Sequence, residues 1–205
     1  MISAVLLAAG QSTRMGAENK LLLPFRGHTV VEHMVGVLLA SRLDEVVVVL
    51  GHEAERVRPL LEGRPVRLVE NAEYREGMGS SLKAGLREVS PQAEAVMVCL
   101  TDQPLLEAAD VDRLIDAYRI ALAWDTTTLP RDIVVPFHQG RRGNPILFSA
   151  RYREEVLATR GPVAGCRGIV QRYPEAILAV EMETDHVVRD LDTPEDYRAL
   201  IQAAH

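Results

Sequence analysis

The fold of this 205-residue chain is decided by its opening stretch, Val5-Leu6-Leu7-Ala8-Ala9-Gly10-Gln11-Ser12-Thr13-Arg14-Met15-Gly16. Five apolar or small residues give way at once to a loop that has glycine at both ends and small polar residues between. This change predicts a buried first strand over Val5–Ala9, and it predicts that the strand's carboxyl end opens into a ligand-binding loop.

Backbone N–H groups in such a loop can wrap a triphosphate, and Arg14 and Lys20 can add positive charge to it. An ordinary surface loop with solvated charges is the alternative interpretation of the same residues. The loop matches neither G-x-x-x-x-G-K-[ST] nor G-x-G-x-x-G. A Walker NTPase and a dinucleotide-binding fold are therefore both disfavoured.

Apolar runs alternate with helix-period segments through the first half, which is the pattern of βα units around a mostly parallel sheet. The unbroken run Val46–Leu50 predicts a central strand covered on both faces. Thr29 and Glu32 predict a capping box that starts a helix near Thr29–Ser41. The other elements predicted here are a helix over Glu53–Leu61, a strand over Val66–Val69, a helix over Ser80–Val89, a strand over Ala95–Leu100 and a helix over Ala108–Leu122.

The second half is less regular, and Trp124–Pro130 has no clear assignment. Its predicted elements are strands over Ile133–Phe137 and Ile146–Phe148 around the polar loop His138–Asn144, a helix over Val163–Tyr173, strands over Ala176–Val180 and His186–Arg189, and a closing helix over Pro194–Ala204 with proline in its first turn. No repeat or linker interrupts the chain. We therefore expect one domain over residues 1–205.

Composition narrows the class of protein. A chain of this length buries about 70% of its unfolded surface. Its two cysteines, Cys99 and Cys166, have no C-x-x-C spacing, which favours a reducing compartment and a cytoplasmic location. The apolar start has no basic residues before it and is interpreted as a strand, and no apolar run is long enough to span a membrane. The net charge of −6 argues against nucleic-acid binding but allows a small anionic substrate.

Asp102 directly follows the predicted strand Ala95–Leu100. Its carboxylate should therefore lie at the sheet edge where ligands of open α/β folds bind. Mg²⁺ prefers one or two carboxylates together with phosphate oxygens and water, so a second acid should converge there, and Asp190 and Asp192 are the candidates. The alternatives are a turn or N-cap role for Asp102 and a cap on the last helix for the other two, and the capping and metal roles are compatible.

A glycine-rich segment, Gly77-Met78-Gly79-Ser80-Ser81, leads into the helix predicted over Ser80–Val89. Glycines allow close backbone approach and leave N–H donors free near a base, ribose or phosphate. A plain helix start with a serine cap is the alternative.

These segments, in this order, resemble the molybdenum cofactor nucleotidyltransferases, which are relatives of the sugar-nucleotide and methylerythritol-phosphate cytidylyltransferases. The resemblance spans nearly the whole chain and rests on Leu7–Pro24, on Asn71 with Gly77–Leu82, on Thr101–Leu105, on Gly143–Pro145 and on Asp190–Tyr197. It implies a Rossmann-like, mostly parallel three-layer α/β/α nucleotidyltransferase fold, with a nucleotide-binding half at about 1–105 and an acceptor-binding half at about 106–205.

The resemblance also implies roles for individual residues. Arg14, Lys20 and Asp102 are the expected catalytic residues, and Mg²⁺ is expected on Asp102 with Asp192 as the first choice of partner and Asp190 as the second. The expected nucleotide-binding residues are Leu7, Ala8, Ala9, Gly10, Ser12, Arg14, Lys20, Asn71, Gly79, Ser80, Ser81 and Asp102.

Two residues indicate which nucleotide is used. In the family, the residues at the end of the first strand face the base. This chain has Leu7-Ala8-Ala9-Gly10 where the guanylyltransferase branch has a segment similar to Leu-Ala-Gly-Gly. The methyl group of Ala9 would therefore narrow the space for a purine. Gln103 is similar to the cytidylyltransferase branch, where the guanylyltransferase branch tends to have Met. Neutral drift is the alternative explanation of both residues. We expect CTP rather than GTP.

The acceptor side is predicted from the loop His138–Asn144, which resembles the family segment that helps to receive the pterin. Gln103, Arg142, Gly143 and Asn144 are the expected acceptor-binding residues, and a solvated hairpin is the alternative for the loop. Relatives often carry Gly-Asp-x-Gly-x-Arg where this chain has Gly161–Arg167 without the Asp, which bears on the identity of the acceptor. Both cysteines are expected to be packed thiols, and the scattered histidines disfavour a zinc enzyme.

The sequence thus predicts an Mg²⁺-dependent nucleotidyltransferase that moves CMP from CTP to molybdopterin, with a molybdenum hydroxylase as a further partner. Three rivals stay open. They are a guanylyl- or cytidylyltransferase for another small phosphate such as a sugar phosphate, a non-catalytic protein that delivers molybdenum cofactor, and a nicotinamide oxidoreductase, which would require a glycine fingerprint that the first loop lacks.

Overall fold

The computed structural model of the protein describes residues 1–16, 18–124, 131–159 and 165–203. Ten strands occur in the described residues: β1 Ile2–Ala8, β2 Pro24–Phe25, β3 His28–Thr29, β4 Glu45–Leu50, β5 Arg67–Glu70, β6 Ala95–Leu100, β7 Ile133–His138, β8 Arg141–Arg142, β9 Ile146–Ser149 and β10 Ile177–Glu181. The α-helices of the same residues are α1 Val30–Ala40, α2 Ala54–Leu61, α3 Met78–Glu88, α4 Ala108–Trp124, α5 Arg153–Ala158, α6 Cys166–Arg172 and α7 Pro194–Ala203.

Eight of the described strands form one sheet in the order β10-β7-β9-β6-β1-β4-β5, with β8 paired to β7. β1 lies at the centre and is parallel to both neighbours, so that Leu6 is opposite Val48 of β4 and Cys99 of β6. β9 runs antiparallel to β6 and to β7, whereas β10 is parallel to β7. The carboxyl ends of β1, β4 and β6 therefore meet at one edge, which is where open α/β sheets bind their ligands.

Helices cover both faces of the sheet, because alternate side chains of the central strands point to opposite sides. One core packs Leu6, Val48 and Met97 against Met34 of α1 and Leu114 of α4. The other core lies on the opposite face, where the residues include Val5, Val49, Val98, Leu86 and Ile169. The predicted mostly parallel three-layer α/β/α architecture is thus confirmed.

A third apolar cluster fastens α7 to the first loop, and it contains Met15, Phe25, Leu105, Leu191 and Leu200. This cluster brings α7 beside the loop that follows β1. No helix in the described part of the chain is both long enough and apolar enough to cross a bilayer.

Most predicted elements are present with ends shifted by one to three residues. The capping box is formed as predicted, since Thr29 Oγ1 accepts a hydrogen bond from the Glu32 N–H and Glu32 Oε2 accepts one from the Thr29 N–H. α3 begins at Met78 and not at Ser80, so that Gly79 and Ser80 belong to its first turn. The short elements α5 and β8 were not predicted, because six and two residues carry too little periodicity.

The strand predicted over His186–Arg189 is wrong, because Asp185–Val188 forms a 3₁₀ turn. The carbonyl oxygen of Val187 accepts hydrogen bonds from the Asn144 N–H and from Gln103 Nε2, so it pairs with a loop and a side chain instead of a strand. Parts of three predictions lie outside the described residues: residues 125–130 of the unassigned segment, residues 163–164 at the start of the predicted helix, and Ala204 at the end of the closing helix.

Candidate active site

The first loop folds back on itself and brings Lys20 to the carboxyl edge of the sheet. Lys20 begins a short 3₁₀ helix whose cap is Asn19, since Asn19 Oδ1 accepts a hydrogen bond from the Leu21 N–H. The Lys20 N–H donates to Ser12 Oγ at 3.2 Å. Asn19 Nδ2 also donates to Glu53 Oε2, which ties the loop to the residue before α2. The position of Lys20 is therefore set by backbone and side-chain contacts on both sides.

The Lys20 ammonium lies between two carboxylates that are 90 residues apart in the chain. Its Nζ donates to Asp102 Oδ2 at 2.8 Å, to Asp192 Oδ1 at 3.3 Å and to the carbonyl oxygen of Leu191 at 3.0 Å. The Leu191 N–H donates to the carbonyl oxygen of Asp102, which joins the two acidic segments directly. Arg14 pairs with the other oxygen of Asp192 at 2.8 Å. The structure therefore brings Arg14, Lys20, Asp102 and Asp192 together.

Asp190 lies nearby but has a different partner. Its Oδ1 accepts a hydrogen bond from Gln103 Nε2 at 2.9 Å, and the same amide nitrogen donates to the Val187 carbonyl oxygen. Burial raises the pKa of Asp190, and the negative charges of Asp102 and Asp192 act in the same direction, whereas the hydrogen bond from Gln103 opposes them. Gln103 is itself buried, so it supports the Asp190 segment from within and borders neither of the cavities described below.

The acidic pair fits a divalent cation. Asp102 Oδ1 is buried and has no hydrogen-bond partner among the described residues, so one lone-pair site of this carboxylate is free for a ligand. No group of three or more His, Cys, Asp or Glu in the described residues is arranged to hold a metal. Two carboxylates completed by phosphate oxygens and water are the donor set that Mg²⁺ prefers, and they would not form a closed all-protein site. Metal binding by Asp102 and Asp192 stays a prediction.

A cavity of about 380 Å³, which we call the donor cavity, opens above this acidic pair. Several of the predicted nucleotide-binding residues line it, together with Gly77 and Met78 of the glycine-rich motif and with Tyr74 and Arg75, which lie just before that motif and which the sequence analysis did not single out. The predicted residues in its wall are Leu7, Ala9, Gly10, Ser12, Arg14, Lys20, Ser81 and Asp102, and Asp192 joins them. Adjacency to Gly77 is the signal that could have identified Tyr74 and Arg75.

Four predicted nucleotide-binding residues do not line the donor cavity. Ala8 is buried on the other face of β1, since neighbouring side chains of a strand alternate. Asn71 Nδ2 donates to Ser80 Oγ and to Ser81 Oγ, so Asn71 anchors the first turn of α3 from beneath. Ser80 Oγ donates to backbone carbonyl oxygens before the helix, and Gly79 is part of the same turn.

Two glycines shape the cavity wall. Gly77 precedes α3 with a φ of 104°, a conformation that L side chains rarely adopt. Gly51 follows β4, and a Cβ atom on it would lie 2.7 Å from both Ala9 Cβ and Tyr74 Cβ. The close approach of Ala9 and Tyr74 across the carboxyl end of the sheet therefore requires glycine at position 51.

A second cavity of about 600 Å³, which we call the acceptor cavity, adjoins the first. The predicted residues Arg142, Gly143 and Asn144 line it, and Arg167 and Cys166, which the sequence analysis did not assign to a site, lie opposite them. Leu7, Met78 and Leu100 border both cavities, so the two volumes meet over the end of β1. Both volumes fall in the range of small-molecule sites.

The charge in the acceptor cavity is positive. Burial lowers the pKa of Arg142, and the nearby Arg167 acts in the same direction. Burial raises the pKa of Cys166 to about 12, although Arg142 opposes this effect, so the thiol stays neutral near pH 7. Burial also raises the pKa of Cys99, whose side chain lies in the core. Neither thiol has the lowered pKa of a nucleophilic cysteine.

A group of charged side chains beside a cavity, at the carboxyl edge of a Rossmann-like sheet, is typical of NTP-binding transferases. Residues 4–177 match the family model described as "MobA-like NTP transferase domain", and the chain belongs to this family. It is a nucleotidyltransferase.

Two curated relatives match nearly end to end. The nicotine blue oxidoreductase of Paenarthrobacter nicotinovorans is 34% identical over 97% of this chain and 96% of its own length. The purine catabolism protein PucB of Bacillus subtilis (strain 168) is 30% identical over 94% and 92%.

Among solved structures, Rv0371c of Mycobacterium tuberculosis H37Rv is similar with a TM-score of 0.76 and 29% identity, over 98% of this chain and 97% of that one. A manganese complex of Rv0371c matches with a TM-score of 0.73 and 27% identity, over 98% of both chains.

Proposed function

We propose that this protein transfers CMP from CTP to molybdopterin and releases pyrophosphate, with Mg²⁺ as its metal. The observation that carries the proposal is the convergence of Asp102 and Asp192 on Lys20 Nζ at 2.8 and 3.3 Å, beside a cavity of nucleotide size. Nucleotidyl transfer needs a phosphate-binding loop together with two positively charged and two acidic side chains that meet at one point.

On the donor side the first loop binds the triphosphate. Gly10 and Ser12 line the donor cavity, and backbone N–H groups of such a loop suit phosphate oxygens. Arg14, whose side chain is 68% exposed, is free to reach the β- and γ-phosphates, while Lys20 offers a compact charge at the reacting phosphorus. These contacts orient the α-phosphorus toward the acceptor cavity.

Asp102 and Asp192 would hold the metal through the carboxylate oxygens that now face Lys20 and through the free Oδ1 of Asp102. When bound there, Mg²⁺ supplies charge neutralisation and orientation to the phosphates. The manganese complex of Rv0371c supports a divalent cation in the family. Asp190 is the second choice, since its Oδ1 is already engaged by Gln103.

On the acceptor side the terminal phosphate of the acceptor attacks the α-phosphorus of CTP. A new oxygen–phosphorus bond forms as the bond to the bridging oxygen breaks, and pyrophosphate leaves with that electron pair. Arg142 and Arg167 give the acceptor cavity positive charge, and Asn144 adds a polar contact. Another small phosphate, such as a sugar phosphate, would use the same charges and is the alternative acceptor.

Ala9 supports CTP over GTP as the donor. It lines the donor cavity, and its Cβ is held against Gly51, so the methyl group has little room to retreat from a purine. The proposal assigns nucleotide binding mainly to residues 1–105 and acceptor binding mainly to residues 106–205 of one domain. It places the reaction in the cytoplasm, with a molybdenum hydroxylase as the partner that receives the product.

The test is pyrophosphate release by the purified chain with CTP, Mg²⁺ and molybdopterin. We expect Asp102→Ala to lower the rate by at least about 100-fold, because it removes charge stabilisation from the transition state. Asp116→Ala is the matched control, since Asp116 is an exposed acid that pairs with Arg42 away from both cavities. Undiminished release by Asp102→Ala would remove Asp102 from the mechanism, and GTP competing better than CTP would reverse the donor assignment.

The name of one relative, the nicotine blue oxidoreductase, favours a second candidate function, which is oxidoreduction. The form of it that the sequence can test is a nicotinamide-dependent reaction. The first loop lacks the glycine fingerprint of a dinucleotide fold, and this absence argues against it. Incubation with NADH or NADPH and a dye acceptor, followed by absorbance, separates the two activities. Oxidation of the nicotinamide without pyrophosphate release from any NTP would replace the first proposal with the second.

A further inference from the structure

The two acidic side chains of the site and two basic side chains beside them compensate one another's charge without any metal. We call Arg14, Lys20, Asp102 and Asp192 the charge cluster. Lys20 bridges the two carboxylates, and Arg14 takes the second oxygen of Asp192. The cluster holds two positive and two negative charges, so it is neutral. A divalent cation that entered it would add uncompensated charge at a half-buried position, which is unfavourable.

Lys20 lies where a cation between the two acids would lie. Its side chain is only 14% exposed, and its three N–H donors have three acceptors, which are Asp102 Oδ2, Asp192 Oδ1 and the Leu191 carbonyl oxygen. The ammonium therefore holds the same carboxylate oxygens that a metal would need. A metal and Lys20 cannot both occupy this position.

We infer that Lys20 is the resident counter-ion of the metal site, and that a divalent cation binds well only after a triphosphate has drawn Lys20 away from Asp102 and Asp192. This inference rests on the proposed function and describes how that site is regulated. Metal and nucleotide then bind cooperatively, because the anionic phosphates take the charge of Lys20 and Arg14 while the cation takes the carboxylates. In the free protein Lys20 and Arg14 compensate the negative charges of the two carboxylates, and the site does not collect metal.

The choice of residue agrees with this exchange. Lys20 and Lys83 are the only lysines among the 23 Lys and Arg residues of the sequence. A lysine carries a compact point charge on a flexible four-carbon stem, so it can replace an ion and then move to a phosphate, whereas a planar guanidinium would not occupy the same volume. Arg14 is largely exposed, and its movement to the phosphates meets little obstruction.

The test is titration of the full chain with Mn²⁺ alone, in which bound ion is followed by the loss of the free Mn²⁺ electron paramagnetic resonance signal. We expect Lys20→Met and Lys20→Gln to bind Mn²⁺ about tenfold more tightly than the unchanged protein, since a like charge at contact distance is removed. Lys83→Met is the matched control, because Lys83 donates to the Thr159 carbonyl oxygen and borders neither cavity. It should leave the Mn²⁺ affinity unchanged.

A second titration adds the same saturating concentration of a CTP analogue with a methylene group between the α- and β-phosphorus atoms. The order of affinities should now reverse, with the unchanged protein holding Mn²⁺ and the analogue together more tightly than either Lys20 variant. Equal Mn²⁺ affinity of the Lys20 variants and the unchanged protein without nucleotide would overturn the inference and leave the proposed function standing. Failure of every form to bind Mn²⁺ with the analogue present would overturn both.

Discussion

The two oxygens of Asp102 have different surroundings. Oδ2 accepts a hydrogen bond from Lys20 Nζ at 2.8 Å, whereas Oδ1 is buried and has no partner among the described residues. Leaving a buried carboxylate oxygen without a partner costs free energy unless a ligand completes it. This unsatisfied oxygen therefore favours binding of a ligand that the polypeptide itself does not supply.

At the same scale, Asp190 and Asp192 should differ in their effect on metal binding. We expect Asp192→Asn to weaken Mn²⁺ binding in the presence of the CTP analogue by at least about tenfold, because it removes a charged oxygen from the metal position. Asp190→Asn should have a much smaller effect, since Asp190 Oδ1 is engaged by Gln103. Mn²⁺ titration of the two variants measures the difference. The opposite ranking would exchange the roles of the two residues.

At the scale of elements, the 3₁₀ turn Asp185–Val188 connects the two cavities. Its Val187 carbonyl oxygen accepts hydrogen bonds from the Asn144 N–H, in the loop His138–Asn144, and from Gln103 beside Asp102. The chain then continues into Asp190–Asp192, of which Asp192 lines the donor cavity. A displacement of the hairpin between β7 and β9 would therefore change the geometry of both cavities.

Gly143 should be required for this connection. A Cβ atom at position 143 would lie 2.2 Å from the Val187 carbonyl oxygen, which is backbone and cannot rotate away. We expect Gly143→Ala to lower the free energy of unfolding by about 1–3 kcal/mol and to raise the KM for the acceptor more than the KM for CTP. Denaturant unfolding and steady-state kinetics measure the two effects.

Gly36 in α1 provides the matched control. A Cβ atom there meets nothing within 4 Å, and alanine is a better helix former than glycine. Gly36→Ala should therefore raise the free energy of unfolding by up to about 1 kcal/mol. Equal effects of the two glycine substitutions would show that the contact with Val187 is unimportant.

The same turn is tied to α4 by a pH-dependent contact. His186 Nδ1 lies 2.9 Å from Asp110 Oδ2, and this hydrogen bond, with the charges of Glu107 and Asp185, raises the pKa of His186 above its ordinary value of 6.5 although burial opposes the shift. A raised folded-state pKa means that the contact stabilises the protein fully below the unfolded-state pKa. Its contribution is lost as the pH rises through the folded-state pKa.

The difference in free energy of unfolding between the protein and His186→Gln should accordingly be largest near about pH 5.5 and should shrink toward about pH 8.5. Urea unfolding at a series of pH values measures it. A difference that stays constant or grows with pH would contradict the assigned pairing of His186 with Asp110.

At the scale of the whole molecule, the sequence predicted the central sheet because its signals are strong and local. The unbroken run of valines in β4 requires cover on both faces, and Thr29 with Glu32 forms a capping box that can be recognised without any tertiary contact. The placement of Asp102 at the sheet edge follows from its position two residues after the end of β6, since parallel strands end at the same edge.

Other features depend on contacts that no local pattern encodes. The antiparallel course of β9 between β6 and β7 is set by the sheet order, and the turn at Asp185–Val188 by partners on Asn144 and Gln103. Arg167 and Cys166 lie in α6, whose Ile169 and Val170 join the core on that face of the sheet, and this packing brings them to the acceptor cavity. Their separation in sequence from Arg142 hides this proximity.

The central claim is that the chain moves a nucleoside monophosphate onto an acceptor. The most direct measurement uses CTP radiolabelled at the α-phosphorus, together with Mg²⁺ and molybdopterin, and follows the label by chromatography. The account predicts that the label enters the acceptor in equal amount to the pyrophosphate released, and that this transfer is lost in Asp102→Ala. Label that stays in CTP, or that appears as free CMP to the same extent without any acceptor, would contradict it.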